Sequence, residues 1–502
     1  MPKTRPYLFY DVALSICSTC YRKVEAKTIF QDDKVYLLKR CPQHGSERVL
    51  IADDIDYYRR CREVFIKPPE MPQVYNTPVK WGCPYDCGLC TDHEQHSCLT
   101  LVEICDYCNL RCPVCYAASG PERQQFRTLP QIEKMLDAVV RNEGHPDVVQ
   151  LSGGEPTMHP DFFTIVEMAK ARPIKHLMVN TNGVRIAQEE DFVKRLADVR
   201  DDFEVYLQFD SFEREPLMQL RGADLRRVRH DALEKLNRHN ISTNLVVTLK
   251  KGLNDHEIGK TIDFALTQPC VRGVTFQPIQ DAGRLEDFNP ATDRLTLTEV
   301  RRKILEQTKV FRPEDVIPVP CHPDSLAMAY ALKLNGKVVP LTSMIPPEVL
   351  INGAANTILY EQDPAVRTNL FKLFATNHSP RSGAGTLREL LCCLPKVWIP
   401  EASTETTTAH VGTATFGRPA SAARPPSADT LTYENIFRII IMQFIDAHSF
   451  DVRSVKKTCV HIVHPDGRLI PFDTYNLFYR DDLEKTRLTP LRQNAELAFA
   501  AI

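Results

Sequence analysis

From residue 99 onward, short apolar runs alternate with longer amphipathic stretches. The runs are LTLVEI (99–104), VVQLS (148–152), HLMVN (176–180), EVYLQF (204–209), STNLVVTL (242–249) and GVTFQPI (273–279). They are short and rich in β-branched residues, which predicts strands. Between them lie LPQIEKMLDAVVRN (129–142), PDFFTIVEMAKA (160–171), EEDFVKRLADV (189–199), DLRRVRHDALEKLNR (224–238) and DHEIGKTIDFALTQ (255–268). Their helical periodicity predicts amphipathic helices. Six strands with helical crossovers make an α/β fold, either a partial (β/α)6 barrel or an open parallel sheet.

Each strand runs into a chemically pointed segment: CNLRCPVC (108–115), GGEP (153–156), NTNG (180–183), FDSF (209–212), KKG (250–252) and QDAGR (280–284). Parallel barrels build their sites at that edge, where the loops converge.

Both flanks lack this alternation. Residues 1–60 hold Cys17-x-x-Cys20, the β-rich KVYLLKR (34–40) and Cys41-x-x-His44 before Gly45. Two such knuckles predict a mononuclear tetrahedral site for zinc or iron. Residues 400–430 are rich in Ser, Thr, Ala and Pro and read as a disordered linker. Beyond it, LTYENIFRIIIMQFIDAHSF predicts a helix, and CVHIVHPDGRLIPF a hairpin turning at Asp466-Gly467. The division is then a metal ribbon (1–60), an auxiliary iron–sulfur segment (61–98), the barrel (99–299), a C-terminal α+β region (300–399), the linker (400–430) and a final helix and hairpin (431–502).

A net charge of −2 over 502 residues offers no footprint for nucleic acid. No apolar run has the length of a membrane span, and the N-terminus lacks the apolar segment of a signal peptide. A cytoplasmic protein is expected, with peripheral membrane contact left open. In that compartment seventeen cysteines point to metal rather than to disulfides, and twelve of them precede residue 116.

Two Cys-x-x-x-Cys-x-x-Cys runs stand out: Cys83, Cys87, Cys90 and Cys108, Cys112, Cys115. Three thiolates hold three irons of a 4Fe–4S cluster and leave the fourth open to a ligand that is not protein. The second run follows a strand and precedes GGEP by one βα unit, which makes it the open, catalytic cluster. The first has Cys98 close by, with Cys105 as the alternative, and predicts a closed auxiliary 4Fe–4S cluster. Gly153 and Gly154, ahead of Pro156, would let backbone approach a small zwitterion, and Glu155 would accept from its ammonium. Asn180, Asn182, Gln208 and Asp210, at later strand tips, are further ligand-binding candidates, although turn and cap roles fit them as well. Tyr116 could pack on a base. Cys270, Cys321, Cys392, Cys393 and Cys459 leave a third cluster open, with structural cysteines as the alternative.

CNLRCPVCYA followed by LSGGEPTMHPDF resembles the radical S-adenosylmethionine (SAM) superfamily. WGCPYDCGLCTDHEQHSCLTLVEI, the N-terminal ribbon and CVHIVHPDGRLIPF narrow the resemblance. They are similar to the branch containing tetraether lipid synthase and the pterin dimethyltransferase of methanopterin biosynthesis. The resemblance implies SAM bound at the open cluster, auxiliary clusters and a mononuclear ribbon. It also implies an electron donor such as ferredoxin or flavodoxin, and methylation or carbon–carbon bond formation on a small or lipid-like substrate. The chain departs from the branch pattern at Val114 and at Asp473, which follows Pro471-Phe472.

Overall fold

The computed structural model describes residues 5–65, 68, 70–334, 337–343, 345–352 and 435–500. The linker expected at 400–430, with Cys392 and Cys393, lies outside the described residues. The ribbon is a four-stranded antiparallel sheet of β1 (Leu8–Ile16), β2 (Lys23–Gln31), β3 (Lys34–Cys41) and β4 (Gly45–Ala52), paired in chain order. Helix α1 (Ile55–Glu63) follows, its first turn capped by the Asp54 carboxylate accepting from the Tyr57 amide.

The six expected strands form as β5 (Leu99–Cys105), β6 (Val148–Gly153), β7 (His176–Thr181), β8 (Phe203–Gln208), β9 (Thr243–Leu249) and β10 (Val271–Pro278). They pair in parallel and in sequence order. The crossover helices are α2 (Leu129–Glu143), α3 (Phe162–Lys170), α4 (Val184–Gln188), α5 (Glu190–Asp198), α6 (Arg214–Arg221), α7 (Arg226–Arg238) and α8 (Ile258–Thr267), with α9 (Leu297–Gln307) after β10. Side chains on each strand alternate between two cores. On β5, Val102 and Ile104 pack under the helices, whereas Leu99 and Leu101 face the barrel interior with Met178, Tyr206 and Val246.

The C-terminal chain extends this sheet at both ends. Strands β11 (Ile317–Pro318), β12 (Leu326–Leu334), β13 (Lys337–Pro340) and β14 (Ile436–Met442) continue beyond β10. Strands β15 (Val460–Val463) and β16 (Leu469–Pro471) continue beyond β5 as the expected hairpin. The helix expected at IFRIIIMQFI is instead strand β14. All seven of its residues are buried, parallel to β10 on one side and antiparallel to β12 on the other. Four isoleucines flanked by strand partners favour extended backbone, and a run buried on both faces carries no periodicity to separate helix from strand. Arg438 within it pairs with the buried Glu204 carboxylate. Among the described residues, no helix is long and apolar enough to cross a membrane.

Candidate active site and metal centres

The end of β5 delivers the chain into the second cysteine loop, and the end of β6 places GGEP beneath it. The two are bonded backbone to backbone: the Gly154 amide donates to Cys105 O and the Glu155 amide to Tyr107 O, each at 2.8 Å. Both glycines are demanded by this approach. A Cβ on Gly153 would stand 2.1 Å from Cys105 O, and one on Gly154 2.1 Å from Tyr107 O. Gly153 also has a φ of +121°, which only glycine adopts readily. The glycines thus seat the turn against the cysteine loop.

Glu155 is fully buried, and burial raises its carboxyl above the ordinary range. Its oxygens accept from the Thr157 amide and hydroxyl, from Thr181 Oγ1 at 2.7 Å and from the Asn182 amide at 2.7 Å. Those four bonds tie the ends of β6 and β7 together and commit the carboxylate internally. Pro156 opens the short 3₁₀ turn that Glu155 caps. Asn182 turns its side chain to the loop, donating to Asn109 Oδ1 at 2.7 Å and standing 3.9 Å from Cys108 Sγ.

One cavity collects Cys108, Cys112, Cys115, Tyr116, Gly153, Gly154, Glu155, Asn180, Asn182 and Gln208. Asp210 lies behind this wall. It is fully buried and bound bidentately by Arg221, at 2.6 and 2.7 Å, and it accepts from the Thr248 amide. Burial alone would raise its carboxyl; the paired guanidinium outweighs that and holds it below the usual carboxylate range. Arg221 also donates to Gln208 Oε1 and Thr248 Oγ1 and lines the cavity, its charge favouring the Cys112 thiolate. Sequence reasoning missed this residue, which sits at the end of α6 with no motif to mark it. It also missed Arg284, whose side chain donates to Cys112 O, Ala118 O and Ser119 O at 2.7–2.9 Å. Backbone bonds join Arg284 to Cys115 in both directions. The QDAGR loop therefore clamps the cysteine loop. Gly283 permits this, since a Cβ there would meet Tyr116 O at 2.2 Å.

Burial raises the thiols of Cys108 and Cys112, so their ionisation needs a positively charged partner. Among the described residues, their sulfurs and that of Cys115 do not fall into any group held within 4.8 Å, as ligands of one ion would. A cluster that places each thiolate on a separate iron suits that spacing. The donor set fits such a group.

The same cavity is also lined by Gln150, Tyr206, Gln277 and Gln280 and by the apolar Met442, Phe444 and Phe472. Gln277 Nε2 donates to Tyr206 Oη at 3.1 Å, while Gln150 Nε2 and Gln280 Oε1 are buried without partners among the described residues. Tyr116 bonds Ser152 Oγ at 3.0 Å and packs against Phe472.

In the ribbon, Cys17, Cys20, Cys41 and His44 have their ligand atoms within 4.8 Å of one another. Cys17 Sγ and Cys41 Sγ each stand 3.5 Å from His44 Nδ1, and Cys20 and Cys41 sulfurs are 3.8 Å apart. Tetrahedral bonds of about 2.3 Å put ligand sulfurs roughly 3.8 Å apart, so this set fits one ion. In the auxiliary segment, the Tyr479 hydroxyl holds the Cys87 amide at 3.0 Å. Cys98, expected to complete the set of Cys83, Cys87 and Cys90, is grouped instead with Cys321 and Cys459. Its place at the mouth of β5 carries it towards the C-terminal strands, a juxtaposition that spacing along the chain cannot reveal. Its alternative, Cys105, is buried beneath the GGEP turn, 3.5 Å from Glu155 O.

Residues 102–265 match the radical SAM superfamily, and residues 9–53 match the HMPTM N-terminal zinc ribbon domain. The chain is 28% identical over 508 aligned residues to the 7,8-dihydro-6-hydroxymethylpterin dimethyltransferase of Methanocaldococcus jannaschii, covering 96% of each chain. It is 27% identical to a GTP 3′,8-cyclase of Alkaliphilus oremlandii over 36% of this chain and 57% of that one. Among solved structures, SuiB of Streptococcus suis bound to S-adenosylmethionine is 17% identical, with a TM-score of 0.33 over 41% of this chain and 46% of that one.

Proposed function

We propose that this chain, a radical SAM enzyme by its match over residues 102–265, methylates a small heteroaromatic substrate of the reduced-pterin class at an unactivated carbon. The observation that carries this reading is the lining of the cavity, where amide side chains with buried atoms that lack partners among the described residues share the wall with aromatic rings. Such a wall recognises the alternating donors and acceptors of a flat heterocycle. The near end-to-end similarity to a pterin dimethyltransferase supports it.

Cys108, Cys112 and Cys115 would hold the cluster, and Gly153 to Pro156, Asn182 and Gln208 would border SAM. Together, cluster and SAM supply an adenosyl carbon radical that abstracts hydrogen from bonds no side-chain base can open. The protein's own residues do the positioning. Arg284 and the GGEP turn fix the cysteine loop from two sides. Asp210 fixes Arg221, and Arg221 fixes Gln208 and places a cation beside Cys112. Phe444 and Phe472, stacked on one another, would offer the substrate an apolar surface. A ferredoxin- or flavodoxin-type donor would supply the electron.

Anaerobic reconstitution with SAM, dithionite, a reduced-folate one-carbon donor to supply the methyl carbon and a reduced hydroxymethylpterin tests the reading. Release of 5′-deoxyadenosine with a pterin gaining a methyl group is expected. Carbon–carbon coupling of a tetraether lipid precursor is the competing reading. Turnover of a diether lipid with the pterin left unchanged would refute the methylase reading.

A further inference from the structure

Cys98, Cys321 and Cys459 come from three segments far apart in sequence, yet their sulfurs lie within 4.8 Å of one another. The Cys321 and Cys459 sulfurs are 3.5 Å apart. Cys98 and Cys459 are buried, and Cys321 is half-buried. This is the compact spacing of the ribbon site and not the wider spacing of the second cysteine run. His96 borders the trio on the Cys98 side, its Nε2 3.5 Å from Cys98 Sγ, without joining the group of three sulfurs. Its Nδ1 is 3.0 Å from Glu143 Oε2, and Glu143 Oε1 also accepts from the Ser97 amide. A carboxylate on the far nitrogen is the arrangement that orients a metal-binding imidazole and fixes its tautomer. The Glu70 carboxylate stands 3.6 Å from Nε2 at the rim. Close by, buried His93 and His461 share a 3.1 Å contact, and His461 Nδ1 has no partner among the described residues.

We propose that Cys98, Cys321 and Cys459 bind a single thiophilic divalent cation, zinc(II) or iron(II), at a second mononuclear site, its fourth position taken by a ligand outside this trio. Its place in the fold gives it a purpose. Cys98 immediately precedes β5, and Cys459 immediately precedes β15, with the Leu99 amide bonded to Cys459 O. Cys321 lies in the loop between β11 and β12, at the opposite end of the sheet. The sheet curls until those ends meet, and among the described residues no strand pairing crosses the seam. An ion held by all three sulfurs closes it, so metal binding there becomes folding free energy for the barrel.

The test uses the full chain, purified and reconstituted anaerobically, with zinc, iron and acid-labile sulfide counted per chain. Cys321→Ser should lose one metal ion with sulfide unchanged. The ribbon variant Cys17→Ser/Cys41→Ser leaves the trio untouched and should still hold one metal ion beyond those accounted for by sulfide; it keeps the test decisive should Cys321→Ser fail to fold. Loss of iron and sulfide together in Cys321→Ser, no such ion in the ribbon variant, or a Cys321–Cys459 disulfide in the anaerobic protein would each overturn the site. None of these counts depends on substrate turnover, so they stand or fall apart from the methylase reading.

Discussion

The seating of the GGEP turn offers the sharpest test, through Gly154→Ala. The new Cβ would lie 2.1 Å from Tyr107 O, 2.5 Å from Tyr107 C and 2.8 Å from Asp106 O, all backbone atoms that cannot swing aside. Ordinary contact begins near 3.4 Å, so the turn must retreat by about 1.3 Å. That separation breaks the bonds from Gly154 N to Cys105 O and from Glu155 N to Tyr107 O. Two lost hydrogen bonds cost roughly 0.5–1.5 kcal/mol each, and overpacking adds roughly 1–3 kcal/mol, about 2–6 kcal/mol in all. Gly252→Ala is the control. Gly252 has a φ of +73° but nothing within 4 Å of an added Cβ, so its cost is only the left-handed strain of roughly 1–2 kcal/mol. Thermal unfolding of the reconstituted protein, with 5′-deoxyadenosine release from SAM, reads both effects. Gly154→Ala should unfold at markedly lower temperature than Gly252→Ala and lose at least tenfold in release, because the retreat pulls Glu155 and Asn182 from the cysteine loop. If Gly252→Ala proves the more damaging, or Gly154→Ala keeps full release, the close approach does not matter and the reasoning fails.

Four further outcomes are expected. Cys112→Ala should abolish 5′-deoxyadenosine release and remove roughly four irons with their sulfide, measured by metal and sulfide analysis. Arg221→Met should destabilise the barrel, by at most about 3–5 kcal/mol, by removing the bidentate partner of buried Asp210 and leaving it only the more distant Arg229 at 3.8 Å, and Asp210→Asn/Arg221→Met should recover part of that in a denaturation cycle. Asp473 is fully buried, accepts from the Ile445 amide and the Thr458 hydroxyl, and is pushed up to about 7 by burial. Its folded form therefore holds the proton more tightly than the unfolded chain, so its share of stability is present below the ordinary carboxyl range and is lost as pH rises to about 7. Asp473→Asn should flatten that slope, worth at most about 4 kcal/mol, in unfolding measured across the window. Cys41→Ser should release one metal ion from the ribbon with sulfide unchanged, read by the same metal count.

Much of the fold was legible because local pattern and global architecture agree. Strands β5 to β10 match their apolar runs nearly residue for residue, and Cys108, Cys112, Cys115 and the GGEP glycines are neighbours in space as their strand-tip positions require. Strand β14 was misread because seven consecutively buried residues carry no periodicity, and its two flanking strands, which fix it as extended, come from elsewhere in the chain.

Sequence alone determined the succession of six parallel strands with helical crossovers, the three-cysteine loop ahead of GGEP and the Cys17–His44 ribbon, because each is written in short-range spacing or in strand-by-strand alternation. Tertiary structure alone decided that Glu155 and Asp210 are committed to internal bonds, that Arg221 and Arg284 hold the site, and that Cys98 meets Cys321 and Cys459. Those partners are joined only when the sheet curls and brings its distant ends together, and no spacing along the chain records that closure.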